Sequence, residues 1–384
     1  MEKLDAKEFL RFVGLLVLAG VYKSHNKEIT NLWNEEDGRP LFNETMSRNR
    51  FTTISQCLRF DNAQDRRIHG SLNKLAPIRA LFELWLPTLQ DAYIPYENLT
   101  VDEQLLTFRG RCPSKQYIPS KPGKYGIKIW AACDSKTSYA YNCQIYIGKT
   151  ADQRERNQGK RVVLDPSKPL TMGLEGSGRN VTMDNFFISL DLAREMEKKL
   201  TLLGTIRKNK PELPQELVTP RHRELYSTIF GYQKKAMLAA YCPKKGKLVT
   251  LLSIMHDIGK ISNDKKKKPQ IILDYNKTKS GVDTMDKLLR TYTVKRQTRR
   301  WPVTIFYNMI DVSALNAYII WIHQNDDWKA KKGYKRREFL KQLGKELVDI
   351  GASTDEASTS QGRTEDIRTS KRGRCYKCPR NLDR

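Results

Sequence analysis

Apolar residues dominate the start of the chain, where the stretch Phe9–Tyr22 contains one charged residue, Arg11. This stretch is shorter than the ~20 residues that a membrane-spanning helix needs, and the segment before it is acidic and mixed rather than basic. The pattern therefore predicts a buried core helix over Glu2–Gly20. Leu81–Leu89 supplies further helical character, and no strand-like alternation occurs before Leu99.

The pattern changes after residue 97, where short β-rich runs bounded by turn residues replace the helical periodicity. A loop at residues 135–137 separates two of these runs and predicts a hairpin. An amphipathic helix is predicted over Ile188–Leu200, between two later strands. A strand meander followed by strand, helix and strand is typical of a mixed α/β sheet. The predicted strands are Leu99–Leu105, Tyr125–Asp134, Ser138–Gly148, Asn180–Asp184 and Leu202–Ile206.

Residues 210–269 interrupt this sheet pattern with a proline-marked start and a predicted hairpin. The two arms of the hairpin are Ala236–Cys242 and Lys247–Met255. Strand character resumes over Gln270–Asp274. Val282–His323 then predicts mainly helix, and the last part of the chain has the composition of a linker.

Composition adds a strong positive charge to this picture. The 384 residues include 69 Lys and Arg against 43 Asp and Glu, which gives a formal net charge of +26. A chain this basic repels basic partners and is attracted to polyanions, so nucleic acid or an acidic membrane surface is expected. The hydrophobic content of 39% is sufficient for a core and excludes wholesale disorder. Seven scattered cysteines fit a reducing cytosolic or nuclear interior.

The positive charge is concentrated in two acid-poor stretches. Residues 104–133 contain six cations and no acid, and residues 287–345 contain fourteen cations against four acids. A solvated face is the usual explanation of one charge run. Two such stretches, one directly after Asp102 and one directly after Asp286, favour binding to DNA phosphates. Tyr117, Tyr125 and Trp130 offer aromatic faces for stacking on unpaired bases. The candidate DNA-binding residues are Arg109, Arg111, Lys115, Lys121, Lys124, Lys128, Lys295, Arg296, Arg299 and Arg300.

Carboxylates in and after predicted strands supply the candidate chemistry. Asp102 lies inside an apolar strand, Asp184 ends another, and the spacing of Asp283 and Asp286 places both on one face of a helix start. Such carboxylates are the ligands that Mg²⁺ or Mn²⁺ prefers, and two ions about 4 Å apart can promote attack on phosphorus. Helix capping explains the Asp-x-x-Asp pair equally well. Asp274, also at a predicted strand end, is as good a third ligand as Asp283, and the residues alone leave that choice open.

Six short segments are together far more specific than any single acid. They are TVDEQL from Thr100, KYGIK from Lys124, TMDNFF from Thr182, GTIRKN from Gly204, YNKTKSGVDTMD from Tyr275 and RWP from Arg300. In this order they resemble the piggyBac transposase family, and the similarity covers about residues 8–343. The resemblance implies an α/β fold with an RNase H-like catalytic core and an inserted subdomain. A mostly helical domain built from both sides of the chain would flank this core.

The resemblance also implies a reaction and its residues. The family's catalytic aspartates fall on Asp102, Asp184 and Asp283, with an auxiliary acid on Asp286, so Asp274 drops out. Two Mg²⁺ or Mn²⁺ ions would support DNA strand cleavage and transfer. Water would free a 3′-hydroxyl, which would attack the opposite strand to form a hairpin and would later attack the target DNA. The implied partners are double-stranded transposon ends, TTAA-type target DNA and a second copy in a homodimer. No membrane and no small-molecule substrate are expected.

These inferences give a division of the chain into regions. The helical dimerisation and DNA-binding region is predicted at residues 1–96 and 293–346, and the catalytic domain at 97–209 and 270–292. The insertion subdomain is predicted at 210–269, and a flexible basic tail at 347–384.

The tail departs from the family pattern. It ends soon after Cys375 and Cys378, which supply only half of a four-ligand zinc site, so Zn²⁺ is expected only if that module is completed. The basic runs at residues 329–337 and 371–374 predict nuclear localisation. The shorter terminal regions motivate a second hypothesis, a transposon-derived protein that binds DNA or chromatin without cutting it. A third hypothesis is another RNase H-like nuclease, which hydrolyses without joining.

Two isolated polar features are predicted to be structural. The pair His256–Asp257 has residue types that hydrolases use, but a pair in a hairpin-rich segment is more often structural. Asp311 lies in an apolar helical pattern, where a satisfied polar group of the core or an interface is expected.

Overall fold

The computed structural model describes residues 3–62, 64, 74–148, 157–165, 169–197, 199–329 and 333–352. The helices are α1 (Ala6–Val21), α2 (Ile29–Leu32), α3 (Pro40–Thr45), α4 (Arg48–Cys57), α5 (Ala76–Asp91), α6 (Gln158–Leu164), α7 (Leu190–Met196), α8 (Gln215–Val218), α9 (Gln270–Thr278), α10 (Gly281–Thr291), α11 (Trp301–Gln324) and α12 (Lys335–Ala352). The strands are β1 (Asn98–Thr107), β2 (Lys115–Tyr117), β3 (Tyr125–Asp134), β4 (Ala140–Ile145), β5 (Asn180–Met183), β6 (Thr201–Thr205), β7 (Thr228–Gln233), β8 (Ala236–Lys244) and β9 (Lys247–Ser253).

A mixed sheet forms the centre of the described structure. β3 is antiparallel to β1, whereas β1, β5 and β6 run parallel to one another. β2 and β4 both pair with the outer edge of β3. At the other end of the sheet, β6 pairs antiparallel with β9, and β8 and β7 follow. The predicted mixed α/β arrangement is confirmed, and the hairpin within residues 210–269 extends the same sheet.

The first and the last described helices pack closely on each other. A Cβ on Gly14 of α1 would lie 2.7 Å from the carbonyl oxygen of Gly344 of α12, and a Cβ on Gly344 would lie 2.7 Å from Leu18 Cγ. Glycine at both positions therefore permits a backbone approach that any side chain would block. Most of α1 is buried, as predicted for a core helix, and Asp5 caps its first turn by accepting the Glu8 N–H at 2.7 Å.

Helix α11 crosses the interior between the sheet and the helical layer. It has 24 residues and is long and apolar enough to cross a membrane by length and composition alone. More than half of its most apolar window is buried inside the fold, where the helix packs on α5, α10, α12 and β1. A helix that is apolar on all sides is typical of a protein core, and its contacts here match that description.

One predicted strand is wrong. Gln270–Asp274 was expected to continue the sheet, but these residues form the first half of helix α9. Pro269 precedes the helix as its N-cap residue, and Ile271, Ile272 and Tyr275 give it a single apolar face that packs on β6, β8 and β9. The run Ile-Ile-Leu favours a strand by intrinsic propensity, but the packing of this segment against the sheet favours a helix. Strand β7 was not predicted, and α7 is shorter than the expected helix.

Candidate active site

Asp102 lies in strand β1, and Asp184 is the first residue after strand β5, which runs parallel to β1. Val101 pairs with Met183, so each aspartate is the residue that follows a paired position. Neighbouring strands lie about 4.8 Å apart, which brings both acids to the same level of the sheet. The Phe186 N–H donates to Asp184 Oδ1 at 2.8 Å and fixes the turn after β5. The structure therefore brings together the two acids that the strand pattern singled out.

Burial and crowding of negative charge raise the pKa of both acids. Burial, together with the neighbouring carboxylates of Glu103 and Asp184, raises the pKa of Asp102 to about 8. Burial and the Glu103 carboxylate also raise the pKa of Asp184, and Arg207 and Lys128 partly oppose this rise. Because each carboxylate disfavours ionisation of the next, the group is electrostatically incomplete without added positive charge.

Helix α10 brings two further acids to the same region. Gly281, at its start, packs directly on Thr100 of β1, and the Gly281 N–H donates to Thr100 Oγ1 at 3.2 Å. Asp283 lies in the first turn of α10 and Asp286 in the second, so the contact between Gly281 and Thr100 sets how far these acids lie from Asp102. The helical Asp-x-x-Asp spacing predicted from the sequence is present.

Asp286 is held by neighbouring side chains, whereas Asp283 is largely exposed. Arg290 donates to Asp286 Oδ2 at 2.6 Å, and Gln104 Nε2 donates to Asp286 Oδ1 at 3.3 Å. Burial raises the pKa of Asp286, and Arg290 opposes that rise. The Asp283 side chain is 64% exposed and contacts Lys121 Nζ at 3.3 Å. The two acids of α10 are therefore differently engaged, one fixed in place and one accessible.

Two lysines of the first basic stretch lie among these carboxylates. Lys121 Nζ donates to Asp283 Oδ1 and also to the Glu103 carbonyl at 3.1 Å, and the side chain is only 15% exposed. Lys128 Nζ lies 3.6 Å from the ring centroid of Trp130, in a cation–π contact. Burial lowers the pKa of Lys128, although Glu103 and Asp184 favour its charged form. The sequence predicted both lysines as DNA ligands, and here they also balance the acids.

The side chains in the described part of the chain do not form a group that could coordinate a metal ion. Among those residues, no group of three or more His, Cys, Asp and Glu side chains is placed to hold a metal ion. The four aspartates share one region and interact electrostatically, with Lys121 inserted beside Asp283. Cys375 and Cys378 of the predicted partial zinc site lie outside the described residues.

Asp274, the alternative third ligand, is engaged elsewhere. Its carboxylate accepts hydrogen bonds from His256 Nε2 at 3.1 Å and from Gln270 Nε2 at 2.9 Å. Burial works to raise its pKa, but the bonds from His256 and Gln270 outweigh that effect and the pKa is lowered. His256 Nδ1 lies 2.8 Å from Ser253 Oγ, and Ser253 is fully buried, so this Ser-His-Asp chain exposes no nucleophile. The structural interpretation of His256 is consistent with these contacts.

The predicted DNA-binding cations divide into exposed and internal groups. Arg109, Arg111, Lys115, Lys124 and Arg299 are exposed. Three others donate to backbone carbonyls of distant segments: Lys295 to Thr107, Arg296 to Ser24 and Lys27, and Arg300 to Ser55, Gln56 and Leu58. Arg296 is 7% exposed, and burial lowers its pKa. Lys295 thus joins the second basic stretch to the end of β1, Arg296 joins it to the loop after α1, and Arg300 joins it to the C-terminal end of α4, where helix carbonyls lack intrahelical partners.

The aromatic residues of the first basic stretch also fall into an exposed and a buried group. Tyr117 and Tyr125 are exposed, with ring centroids 4.8 Å apart, and remain available for stacking. Trp130 is 1% exposed, so the expectation that it stacks on DNA bases is corrected. Sequence reasoning did not assign a role to Tyr275, whose phenol lies near Asp184, Asp102 and Asp283 and whose pKa is raised mainly by burial. Its place in the YNKTKSGVDTMD segment was the available signal.

The geometry defines a class: a mixed α/β protein whose parallel strands and adjoining helix gather aspartates beside a basic surface. The family profile described as Transposase IS4 matches residues 1–318. A cryo-EM structure of a piggyBac transposase synaptic complex with hairpin DNA superposes with a TM-score of 0.84 and 35% identity, over 94% of this chain and 75% of that chain. The chain therefore belongs to the Transposase IS4 family, in its piggyBac branch.

Two curated human relatives are similar over 321 residues. PiggyBac transposable element-derived protein 3 of Homo sapiens is 28% identical, over 78% of this chain and 52% of the relative. The chimeric ERCC6-PGBD3 protein of Homo sapiens is also 28% identical, over 29% of its length. The chain thus spans about half of the first relative and less of the second.

Replacing Lys121 by Met should destabilise the protein by about 1 kcal/mol in the absence of divalent metal, because the carboxylates lose their internal cation. Thermal unfolding in EDTA measures this loss. Lys124→Met removes the same charge from an exposed position of the same loop and should leave the melting temperature nearly unchanged. Equal melting temperatures for the two variants would show that Lys121 does not stabilise the acids.

Asp311 gives a prediction about pH. It accepts hydrogen bonds from Thr293 Oγ1 at 2.5 Å and the Val294 N–H at 2.8 Å, and burial raises its pKa to about 7. A carboxyl whose pKa rises on folding adds stability that is full below about pH 4 and is lost as the pH rises toward 7. The melting temperature of Asp311→Asn should therefore increase relative to wild type between pH 5 and pH 8. A difference that does not change with pH contradicts this assignment.

Proposed function

We propose that the chain is the catalytic core of a piggyBac-type DNA transposase that cleaves and transfers DNA strands. Asp102, Asp184 and Asp283 would carry the reaction, and Asp286 would support them. The observation that carries the proposal is the parallel pairing of β1 with β5, which sets Asp102 beside Asp184 where helix α10 packs. The strand order β4-β3-β1-β5-β6 supports an RNase H-like core.

The chemistry of these carboxylates fits a divalent metal, although the described side chains are not gathered closely enough to form a metal-binding group. Carboxylate oxygens are the ligands that Mg²⁺ and Mn²⁺ prefer. The pKa of Asp102 is raised by burial and by the Glu103 and Asp184 carboxylates, whose negative charge a divalent cation would offset. When bound, two such ions would activate an attacking oxygen and stabilise a leaving oxygen on phosphorus. Asp102, Asp184 and Asp283 would hold the ions. The hydrogen bonds that Gln104 and Arg290 donate to Asp286 would orient that carboxylate beside them. Lys121 donates to Oδ1 of Asp283, and it would have to release this oxygen before Oδ1 could serve as a ligand.

The surface around the acids is suited to a DNA backbone. Exposed cations of the loop between β1 and β3 adjoin the site, and Tyr117 and Tyr125 add two neighbouring aromatic faces. Arg109, Arg111, Lys115, Lys124 and Arg299 are the proposed phosphate contacts. By family resemblance, the DNA would be transposon ends and TTAA-type targets, bound by a homodimer in the nucleus. The relative seen in a synaptic complex with hairpin DNA supports the DNA part of this proposal.

Strand cleavage of a natural DNA end tests the proposal. Purified full chain is incubated with duplexes taken from inverted repeats that flank its coding sequence, in EDTA, Mg²⁺ or Mn²⁺. Metal-dependent nicking, then hairpin formation, then joining into a TTAA-containing plasmid are expected on denaturing gels. Salt-dependent binding without any cleavage would instead support the catalytically silent DNA- or chromatin-binding protein. Hydrolysis without joining would support a different nuclease.

A further inference from the structure

Lys121 connects the strand and the helix that carry the acids. It lies in the loop between β2 and β3, and its Nζ donates to Asp283 Oδ1 of α10 at 3.3 Å and to the Glu103 carbonyl oxygen of β1 at 3.1 Å. Glu103 follows Asp102 directly in the chain. The ammonium group of Lys121 therefore lies between Asp283 and the segment of β1 that carries Asp102.

This ammonium group is more enclosed than the carboxylate it contacts. The Lys121 side chain is 15% exposed, whereas that of Asp283 is 64% exposed. Burial alone would lower the pKa of Lys121, but the carboxylates of three neighbouring acids outweigh burial, and the pKa is raised. Two of the three N–H donors of the ammonium group are used in these contacts. Lys121 is thus held among the carboxylates as an internal cation.

The place of this cation accounts for the spacing of the acids. Mg²⁺ binds carboxylate oxygens at about 2.1 Å. The contacts of Lys121 Nζ with Asp283 and with β1 are 3.3 and 3.1 Å long, so the ammonium group spaces the Asp283 carboxylate farther from β1 than a shared metal ion would. In the part of the chain that the structure describes, no group of three or more His, Cys, Asp or Glu side chains is accordingly placed to hold a metal ion.

The loop that carries Lys121 is closed on itself and packs on β1. The Ile118 N–H donates to the Lys124 carbonyl oxygen at 2.8 Å, and the Lys124 N–H donates to the Lys121 carbonyl oxygen at 3.0 Å. A Cβ on Gly123 would lie 2.5 Å from Thr107 Oγ1, which leaves no room between the loop and the strand. Because these contacts hold the backbone, the ammonium group can leave the acids only by rotation of its flexible four-carbon side chain.

We propose that Lys121 exchanges partners during binding: it gives up Asp283 to a divalent metal ion and then donates to a DNA phosphate beside the acids. A divalent ion brings more positive charge to the carboxylates than the ammonium group does, and the released lysine needs a new anionic partner. Lys124 of the same loop is already a proposed phosphate contact, so DNA would lie close to the released group. This inference rests on the proposed function and adds a coupling to it, because metal binding prepares a DNA ligand.

Acetylation of lysine side chains in the wild-type protein tests the exchange. The full chain is treated with a small acetylating reagent in EDTA, in Mg²⁺, and in Mg²⁺ with a duplex from the inverted repeats that flank its coding sequence, and labelled peptides are measured by mass spectrometry. Lys121 should react at least about fivefold faster in Mg²⁺ than in EDTA, because the released amine is exposed, and the duplex should protect it again. Lys124, exposed from the start, should react alike in EDTA and Mg²⁺. Equal labelling of Lys121 in EDTA and Mg²⁺ would overturn the exchange, and fast labelling with DNA bound would overturn the contact with phosphate.

Binding of Mn²⁺ measures the competition without any cleavage, through the paramagnetic resonance signal of the free ion. Lys121→Met should bind Mn²⁺ about tenfold more tightly than wild type, because no internal cation competes, and Lys121→Arg, which keeps the charge, should stay within about threefold. Lys124→Met, the matched charge loss at an exposed position, should change the affinity less than about twofold.

The same measurement separates a failure of this inference from a failure of the proposed function. If Asp102→Asn abolishes Mn²⁺ binding and Lys121→Met binds no more tightly than wild type, the exchange is wrong and the metal site stands. Mn²⁺ binding that Asp102→Asn leaves unchanged, or no binding by any of these proteins, would overturn the metal part of the proposed function as well.

Discussion

Asp102→Asn should abolish metal-dependent strand cleavage, with a loss of at least about 10³-fold, while the protein stays folded and binds DNA within about twofold of wild type. The amide cannot supply the anionic oxygen that a divalent ion requires at this position beside Asp184. Burial and the Glu103 carboxylate raise the pKa of Asp102, so without metal the fold favours the neutral form of this side chain. The neutral amide copies that form, and the melting temperature in EDTA should therefore not fall.

The same charge change at Asp257 provides the control. Asp257 is exposed and follows β9, outside the acidic region. Asp257→Asn should cleave like wild type under the same Mg²⁺ concentrations. Cleavage by Asp102→Asn at more than about a tenth of the wild-type rate would exclude this carboxylate from the reaction. A large fall in its melting temperature would show instead that Asp102 is needed as an anion for folding.

The positions of Asp102 and Asp184 could be predicted because strand patterns carry that information. Both acids occur in or after short apolar runs, where a charge costs free energy unless a hydrogen bond, an opposite charge or a metal ion compensates it. Parallel pairing then brings such acids together. The third position could not be chosen from the residues alone, because Gln270–Asp274 has strand-like composition and folds as a helix. The resemblance to piggyBac transposases excluded Asp274, and the bond from His256 shows how that carboxylate is used.

The roles of the cations were less predictable than the positions of the aspartates, because a basic run in the sequence does not show which of its side chains point into the fold. Lys295, Arg296 and Arg300 lie in the densest part of the second stretch and were predicted to contact DNA. Their donors instead satisfy carbonyls of β1, of the loop after α1 and of the end of α4, contacts that depend on segments about 190 to 270 residues away. Lys121 shows the same limit, since only the folded loop places it against Asp283.

Gly281→Ala should lower the free energy of unfolding by about 1–3 kcal/mol and reduce cleavage more than DNA binding. An added Cβ would lie 2.5 Å from Thr100 Oγ1 and 3.0 Å from Thr100 Cβ. Thr100 is 1% exposed, and its hydroxyl donates to the Thr278 carbonyl at 2.5 Å, so it cannot move aside. Helix α10 must therefore shift away from β1 and carry the two acids of its first turns with it. Chemical denaturation and the nicking assay measure the two effects.

A second substitution distinguishes this steric cause from a general loss of helix stability. Alanine is the better helix former, so Gly281→Ala would stabilise α10 if the helix were free of β1. Adding Thr100→Ala removes the nearest atom and should recover part of the stability, which makes the two substitutions non-additive. Gly333→Ala, where an added Cβ meets nothing within 4 Å, should be neutral. Wild-type cleavage by Gly281→Ala would mean that the distance between α10 and β1 does not set the geometry of the reaction.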